Sequence, residues 1–537
     1  MALVVGNLLA PEGPPAEALA RHLGVPVAAI RVVDLLLRAL DSRQKVAVWR
    51  HNYRVELSEG VEGEVLARKI GGVRLWTERD RMRREGPSAA RLRWCQLWPV
   101  VVVGAGPAGL FAALRLGEAG VPVVLVDRGG PVEDRVPAVN RHWRGGPLDE
   151  ETNLLFGEGG AGTFSDGKIY TRRRDGELGY IFRVLVDCGA DPEILQETWA
   201  HIGTDKVRAL LPKLRERLRA NGVEVRYHTR LVGIKTDAGR VVGVELLDRE
   251  GARSLLQTER LLIATGHSAR DTMKLLLDAG ASAVTRPIAI GARIEHPQAL
   301  IDAGRYGHPR GARPEALPPA SYRLAYNPPS GRSSYTFCMC PGGMVVPANH
   351  ATEQVVVNGM SFAARRAVWA NSAVIVQVYP EDYPGTDPEA GLRFQAAIEA
   401  AAWQSTGGAG APAQRADDFL EDRLSTELPR TSYPMGVVPV DLRRVLPPAV
   451  IVGMKQAIRE FDHKVPGFAG PEGVLIAPET RTTSPLRFVR GEDLQSTSLG
   501  GLYPVGEGAG YAGGIISAAL DGHRAAEAVM AREGTPR

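Results

Sequence analysis

The chain has few cysteines, four in 537 residues, and their spacing excludes two structural classes. Cys95, Cys188, Cys338 and Cys340 form no disulfide framework, and no Cys-x-x-Cys is present to pair with histidines in a zinc site. No metal is therefore expected, and the cysteine usage fits a reducing cytoplasm. No uninterrupted apolar run reaches the ~20 residues that span a bilayer. Met1–Ala10 is apolar but lacks a basic n-region and runs into Pro11, Gly13, Pro14 and Pro15, so a secretory signal is not expected. Nor is low-complexity disorder indicated, because 44% hydrophobic and 23% charged residues are ordinary for a globular protein. The net charge is only +4, and it is unevenly placed. Residues 1–97 hold 16 Lys and Arg against 11 Asp and Glu, while the remainder is nearly balanced. Nine of those basic residues lie in Arg68–Arg93. That stretch reads first as a solvated charged face, and second as a docking patch for an acidic partner.

A chain of this length exceeds one hydrophobic core, which usually splits beyond ~250–300 residues. Residues 1–97 read as a small α+β module with a basic linker. Strands are expected at Ala2–Leu9, Ile30–Ala39 and Val46–Leu57, and short helices at Ala16–Leu23 and Gly60–Arg68. Arg79–Arg93 reads as a polar linker. The β-α-β-β-α order points to a ferredoxin-like arrangement. The character changes at Trp98. Val100–Val103 is a continuous apolar run suited to a buried parallel strand. Pro107–Ala119 reads as a helix and Val123–Val126 as the next strand. Short β-prone runs between Thr229 and Glu259 suggest an antiparallel meander, and Arg260–Thr265 a further strand. We expect an α/β fold with a Rossmann-like parallel sheet. Its first part would span 98–286, an inserted α+β domain 287–466, and its C-terminal part 467–537, with a strand at Gly501–Glu507 and a helix at Gly513–Met530.

Gly104-Ala105-Gly106-Pro107-Ala108-Gly109 is a G-x-G-x-x-G run set between a strand and a helix, the context the motif requires. Gly104 permits the turn, Gly106 lets the backbone approach a pyrophosphate, and Gly109 lets helix pack on strand. The helix N-terminus offers free N–H groups to phosphates. Asp127, followed by Arg128, ends the next strand where an acidic side chain would accept bonds from ribose hydroxyls. Two further segments narrow the choice of dinucleotide: Arg260–Gly266, closing in Ala264-Thr265-Gly266, and Tyr503–Gly510, in which Gly506 and Glu507 end a strand before Gly513, Gly514 and Ile515 open a helix. Gly508–Gly513 also reads G-x-G-x-x-G. Too little chain follows it for a βαβ unit, so it is not read as a second nucleotide site.

On these segments the chain resembles the FAD flavoproteins of the glutathione-reductase type, in the branch without a second domain for NAD(P)H. More narrowly it is similar to a bacterial family of uncharacterised FAD-dependent dehydrogenases. That narrower likeness rests on Gly157–Lys168, Thr336–Gly343, Asn358–Ser361, Asn371–Ala373 and Glu479–Pro485. Glu507 stands where the wider group usually has Asp. The resemblance implies FAD as cofactor, with the acidic side chain bonding the ribitol and the following helix facing the pyrimidine end of the flavin.

Five glycines between 157 and 167, among them Gly159, Gly160 and Gly162, suit a loop lying against a planar ring or phosphate. Candidate catalytic residues are Lys168, which could balance charge near the flavin, Arg481 in a donor-rich stretch, and Cys338 and Cys340. In a strand those two cysteines would share a face and are more often packing than redox groups. His267 is left as a structural histidine. The expected activity is hydride transfer between flavin N5 and an unidentified small molecule, or NAD(P)H as a transient reductant. The alternative is a structural FAD in a binding protein whose basic module docks RNA or a protein. No RNP-type aromatic pair supports the RNA version.

Overall fold

The computed structural model describes residues 2–41, 47–77, 80–81, 92–94, 96–169, 176–197 and 200–536. The chain divides into two compact units, 1–88 with 168–202, and 89–167 with 203–537.

In the first unit the strands Ala2–Leu9, Ile30–Asp41, Val48–Leu57 and Val73–Leu75 alternate with the helices Pro15–Leu23 and Val61–Ala67. The sheet order is second, third, first, fourth, the ferredoxin-like arrangement expected from the sequence. The strand Val73–Leu75, three residues long and directly after Gly71-Gly72, completes the motif and is too short to carry a sequence signal. Pro15 opens the first helix at a position where its missing N–H costs nothing, and Gly24 closes it at φ +66°. Alternation then sends Tyr53, Val55 and Leu57 to one face, where they pack with Leu3, Val5, Leu19, Leu23 and Val65. Residues 42–46, between the second and third strands, and most of the polar linker Arg79–Arg93 lie outside the described residues, as does Cys95. The segment 168–202, which the sequence reading placed with the flavin domain, belongs to this unit. It is held there by Arg38 of the second strand, whose guanidinium pairs with Glu193 and Glu197.

In the second unit five parallel strands lie in the order Leu502–Pro504, Leu261–Ile263, Val100–Val103, Val123–Val126, Val223–Arg226. Val100–Val103 and Val123–Val126 are buried along their whole length, as strands covered on both faces must be. Thr229–Asp237, Arg240–Asp248 and Arg253–Gln257 form the expected antiparallel meander. The inserted region builds a seven-stranded sheet whose centre is Trp369–Val378, Ile288–Pro297 and Val474–Glu479. The last of these strands lies beyond the expected limit at 466, so the sheet takes a strand from the segment read as returning to the flavin domain. Period-2 alternation decides its faces. Ile288, Ile290, Ala292 and Ile294 join a large core that also holds Ile398, Met454, Ile458 and Phe461 from the helices Ala390–Thr406 and Pro448–Lys464. Arg293 and Glu295 alternate with them and are buried too.

Glu295 accepts the Ser432 N–H at 2.8 Å and the Ser432 hydroxyl. Burial nonetheless pushes its carboxyl up to about 7 from an ordinary 4.5. The unfolded carboxyl ionises first, so this contribution to stability is complete below about pH 4.5 and lost as pH rises through 7. Glu295→Gln is expected to be more stable than the native chain by about 3 kcal/mol at pH 8, with no gain at pH 4. Unfolding midpoints of the two proteins across that pH range check it; parallel profiles would refute it.

Candidate cofactor site

The fingerprint glycines have three different physical reasons. Gly104 sits at φ +104°, and a Cβ on it would lie 2.5 Å from the Ala264 carbonyl oxygen. A Cβ on Gly109 would lie 1.8 Å from the Gly104 oxygen, so helix and strand could not close. Gly106 is different: its backbone is extended and the nearest atom to an added Cβ is the Gly160 Cα at 3.8 Å. The backbone there faces open space. Pro107 and Ala108 begin the helix Pro107–Glu118, which no side chain caps, so its first N–H groups are available to an anion.

Asp127 ties this loop down. Its Oδ2 accepts the Ala105 N–H at 2.7 Å and its Oδ1 the Gly129 N–H at 2.8 Å. Each oxygen keeps a second lone pair for a ribose hydroxyl. Arg128, beside it, pairs with Asp271 and lies over the Phe156 ring at 4.6 Å.

Packing within the protein explains part of the glycine content of the loop 157–167. A Cβ on Gly157 would strike the Arg135 stem at 2.4 Å, one on Gly159 would strike Thr163 and Leu211, and one on Gly167 the Gly203 backbone. Those three are required by the protein itself. Gly159 still contributes through its backbone, donating its N–H to the Ala105 oxygen at 2.7 Å. Gly160 lies against Gly106, with a Cβ 3.1 Å from the Gly106 Cα, and Gly162 lies against Ile515.

The C-terminal segment reaches the same place. Gly506, at φ +78°, donates its N–H to Asp521 at 2.7 Å, and Asp521 is held by Arg490. Gly508 passes so close to Gly266 that a Cβ would sit 2.3 Å from the Gly266 oxygen. Gly510, at φ +86°, passes close to Leu486 and Arg487, with a Cβ 2.8 Å from the Leu486 oxygen. The run Gly508–Gly513 is therefore glycine-rich largely for chain crossing. The helix Ile515–Glu533 packs on Pro107–Glu118 at Gly522, where a Cβ would lie 1.9 Å from the Ala108 oxygen. Gly162 borders the first residues of both helices, with a Cβ 3.1 Å from Ile515 and 3.9 Å from Pro107. Around them an added Cβ on Gly266, Gly513 or Gly514 would meet nothing within 4 Å. The cradle is thus lined by bare backbone, two helix starts, Asp127 and Glu507, a set that fits FAD.

Residues 98–275 match the FAD binding domain family, and residues 287–482 match the family described as FAD-dependent protein, C-terminal domain-like. An uncharacterised protein of Clostridium beijerinckii is 41% identical over 445 residues, covering 81% of each chain. The chain belongs to this family of FAD-dependent proteins. Its cofactor is FAD. Among solved structures, a flavin-dependent brominase is 12% identical over 82% of this chain and 80% of its own, at a TM-score of 0.39. A flavoprotein/dehydrogenase from Cytophaga hutchinsonii is 13% identical over 82% and 80%, at 0.36.

In this FAD-dependent protein the acidic residue of the C-terminal segment is protonated more readily than usual. Burial pushes the Glu507 carboxyl up to about 7, although the Gly514 N–H partly offsets it. Its Oε1 lies 3.5 Å from His267 Nδ1. Thr265 and Gly266 place His267 at this mouth, and burial together with Arg481 and Arg270 lowers its pKa to about 4. It is neutral at pH 7.

Arg481 is not the free donor the sequence suggested. Its Nε and Nη2 donate to the two oxygens of Glu399 at 2.9 and 2.7 Å, and Nη1 contacts His350 Nδ1 at 2.7 Å. Arg270 donates to the same carboxylate at 3.0 and 3.1 Å. Glu399 thus shares its single negative charge between the two guanidiniums. Glu399, Arg270 and His350 escaped the sequence reading, though a single acid inside Ala396-Ala397-Ile398-Glu399-Ala400-Ala401-Ala402 signals a buried partner.

Cys338 and Cys340 do not share a face as expected. The strand Ser334–Cys340 pairs Phe337 with Ala373 but Cys340 with Asn371, so one extra residue is bulged between them. Cys340 is buried and Cys338 half-buried. Neither is in a disulfide, and the Cys338 oxygen accepts from Arg293 at 2.6 Å. Arg293 is itself bound to Glu479 and Asn371. Lys168 opens the segment 168–202 of the first unit, where its backbone bridges to His201. Among the described residues no group of three or more His, Cys, Asp or Glu is placed to hold a metal, and no helix is long and apolar enough to cross a membrane.

Proposed function

We propose that the protein is an FAD-dependent oxidoreductase that exchanges a hydride with a small-molecule substrate, or with NAD(P)H as a transient reductant. The observation that carries this reading is the close approach of Gly160 to Gly106 at the uncapped start of the helix Pro107–Glu118, with room left beside the backbone at Gly266, Gly513 and Gly514. FAD, when bound, supplies the two-electron chemistry, and the protein supplies orientation and electrostatics. The start of the helix Pro107–Glu118 would hold the pyrophosphate, and Asp127 the adenosine ribose. Glu507 would bond the ribitol, and the start of Ile515–Glu533 would face the pyrimidine end, where a positive dipole end favours negative charge. Neutral His267 and the Glu507 carboxyl can hold a proton at Nδ1 or Oε1 beside that end.

A five-stranded parallel sheet followed by a three-stranded meander supports placing the chain with the glutathione-reductase-type flavoproteins. Three cysteines outside any disulfide, among the described residues, suit the cytoplasm. The alternative, a structural FAD in a docking protein, is not favoured. Two basic residues of the ferredoxin-like sheet are paired within it or beside it, Arg54 with Asp34 and Glu56, and Arg74 with Asp80.

The purified protein is expected to be yellow and to release FAD rather than FMN on denaturation, because Asp127 and the Gly106 loop serve an adenosine diphosphate half that FMN lacks. Chromatography of the released cofactor checks this. Anaerobic titration with NADH and NADPH, followed by flavin bleaching, tests the hydride reading. Release of FMN, or a protein that cannot be reconstituted with FAD, would defeat it.

A further inference from the structure

We propose that Arg135 is the positioning residue of the FAD site, holding the loop 157–164 so that Gly160 closes against Gly106. The inference rests on the reading that FAD occupies the cradle at Gly106.

Arg135 lies on the helix Val132–Trp143 and is completely buried. Its Nε donates to the Asn153 oxygen at 3.1 Å, and Nη2 to the Asn153 and Leu154 oxygens at 2.9 and 2.8 Å. Nη1 donates to the Glu158 oxygen, to the Gly160 oxygen at 3.0 Å and to Thr163 Oγ1 at 2.9 Å. These acceptors are backbone carbonyls and one hydroxyl. The nearby Glu158 carboxylate is engaged elsewhere, by the Val132 N–H at 2.9 Å and the Tyr227 hydroxyl at 2.5 Å.

A buried cation without a carboxylate in direct contact is costly, and for stability alone an apolar side chain of similar volume serves as well or better. What the guanidinium provides is geometry. Its rigid fork fixes the carbonyls of a loop that has almost no side chains of its own to pack. The loop is shaped around it in return. Gly157 stands at φ +107° with room for no Cβ, because the Arg135 Cδ would be 2.4 Å away. The Phe164 ring is covered by two guanidiniums, Arg135 at 5.1 Å and Arg208 at 4.2 Å. Arg208 Nε and Thr204 Oγ1 both donate to the Thr163 oxygen, fixing the loop's far end. The product of this clamp is the Gly159 N–H bond to Ala105 and the approach of Gly160 to Gly106. Through these the clamp reaches the cofactor loop while Arg135 itself stays within the protein.

The test uses the full chain, stripped of cofactor and titrated with FAD by fluorescence quenching, with visible circular dichroism of the bound flavin. Arg135→Met is expected to weaken FAD affinity about 100-fold and alter the flavin dichroism. Arg135→Lys, which keeps charge but fewer donors, should recover about tenfold of that loss. A residue that only stabilised the fold would change the melting temperature without this ordered effect on affinity. Native affinity and dichroism in a folded Arg135→Met protein would overturn the proposal. If that variant does not fold, Thr163→Val decides. It removes one acceptor and leaves Arg135 in place, so about tenfold weaker binding supports the clamp and native affinity overturns it. Failure of the unmutated chain to bind FAD would instead overturn the cofactor assignment.

Discussion

Gly106→Val is expected to give a folded but colourless protein. The clearances at the three fingerprint glycines separate folding from binding. At Gly106 the backbone is extended, a conformation valine readily adopts, and the nearest atom to a Cβ is 3.8 Å away. The stability of the cofactor-free chain should therefore change by less than about 1 kcal/mol. The isopropyl group instead occupies the space over the helix start where the pyrophosphate would lie, so FAD affinity should fall by three orders of magnitude or more, about 4 kcal/mol. Gly109→Ala is the contrast. Its methyl would sit 1.8 Å from the Gly104 oxygen, so it should disrupt folding of the cofactor-free protein as well. Melting curves of both cofactor-free variants, with FAD titration of the first, decide the matter. Retention of FAD by Gly106→Val would remove the cradle from this position.

What could be read from the sequence follows from where the governing interactions lie. The βαβ unit was legible because each of its parts is local: an all-valine strand, glycines at fixed offsets, and a helix opened by Pro107. The same holds for the segments ending in Gly266 and Glu507, whose turn glycines carry their own signal. Long-range partners were not legible. Nothing in the local pattern says that Gly157 is glycine because of Arg135, or that Gly508 is glycine because it crosses Gly266. The bulge at Cys338–Cys340 is likewise set by the partner strand Trp369–Val378, and a two-residue period cannot foresee it. Arg481 was misread for a related reason. A run of donors looks free in sequence, whereas its carboxylate partner comes from a helix 82 positions away. The grouping of 168–202 with the N-terminal module rests on Arg38 and two glutamates more than 150 residues distant.

That partner carboxylate supplies the second large effect. Glu399→Gln is expected to destabilise the flavin-binding unit by about 3–5 kcal/mol, the usual consequence of breaking a buried pair by removing one side. Glu399 is fully buried and accepts from Arg481, from Arg270 and from Thr480 Oγ1 at 2.7 Å. Two guanidiniums and a hydroxyl therefore converge on a single carboxylate. The neighbouring His350 and His267 are held neutral, at about 3 and about 4, by burial and by those same cations. Other than Glu399, neither histidine nor hydroxyl can neutralise the guanidiniums. An amide in its place keeps the volume but supplies no negative charge and turns an N–H₂ toward donors. The melting temperature should fall by on the order of 10 °C at roughly 2–4 °C per kcal/mol. The native pair also predicts its own acid limit. The two guanidiniums hold the Glu399 carboxyl down at about 2 despite burial, so its contribution is present above an ordinary 4.5 and is lost as pH falls toward 2. In Glu399→Gln that acid-dependent loss should be missing, while the melting temperature at pH 7 is already low. Adding Arg270→Gln to the variant removes one of the two uncompensated cations and should recover part of the stability. A melting temperature within about 2 °C of the native value at pH 7, less than 1 kcal/mol on the same scale, would show that water or another group compensates the two arginines.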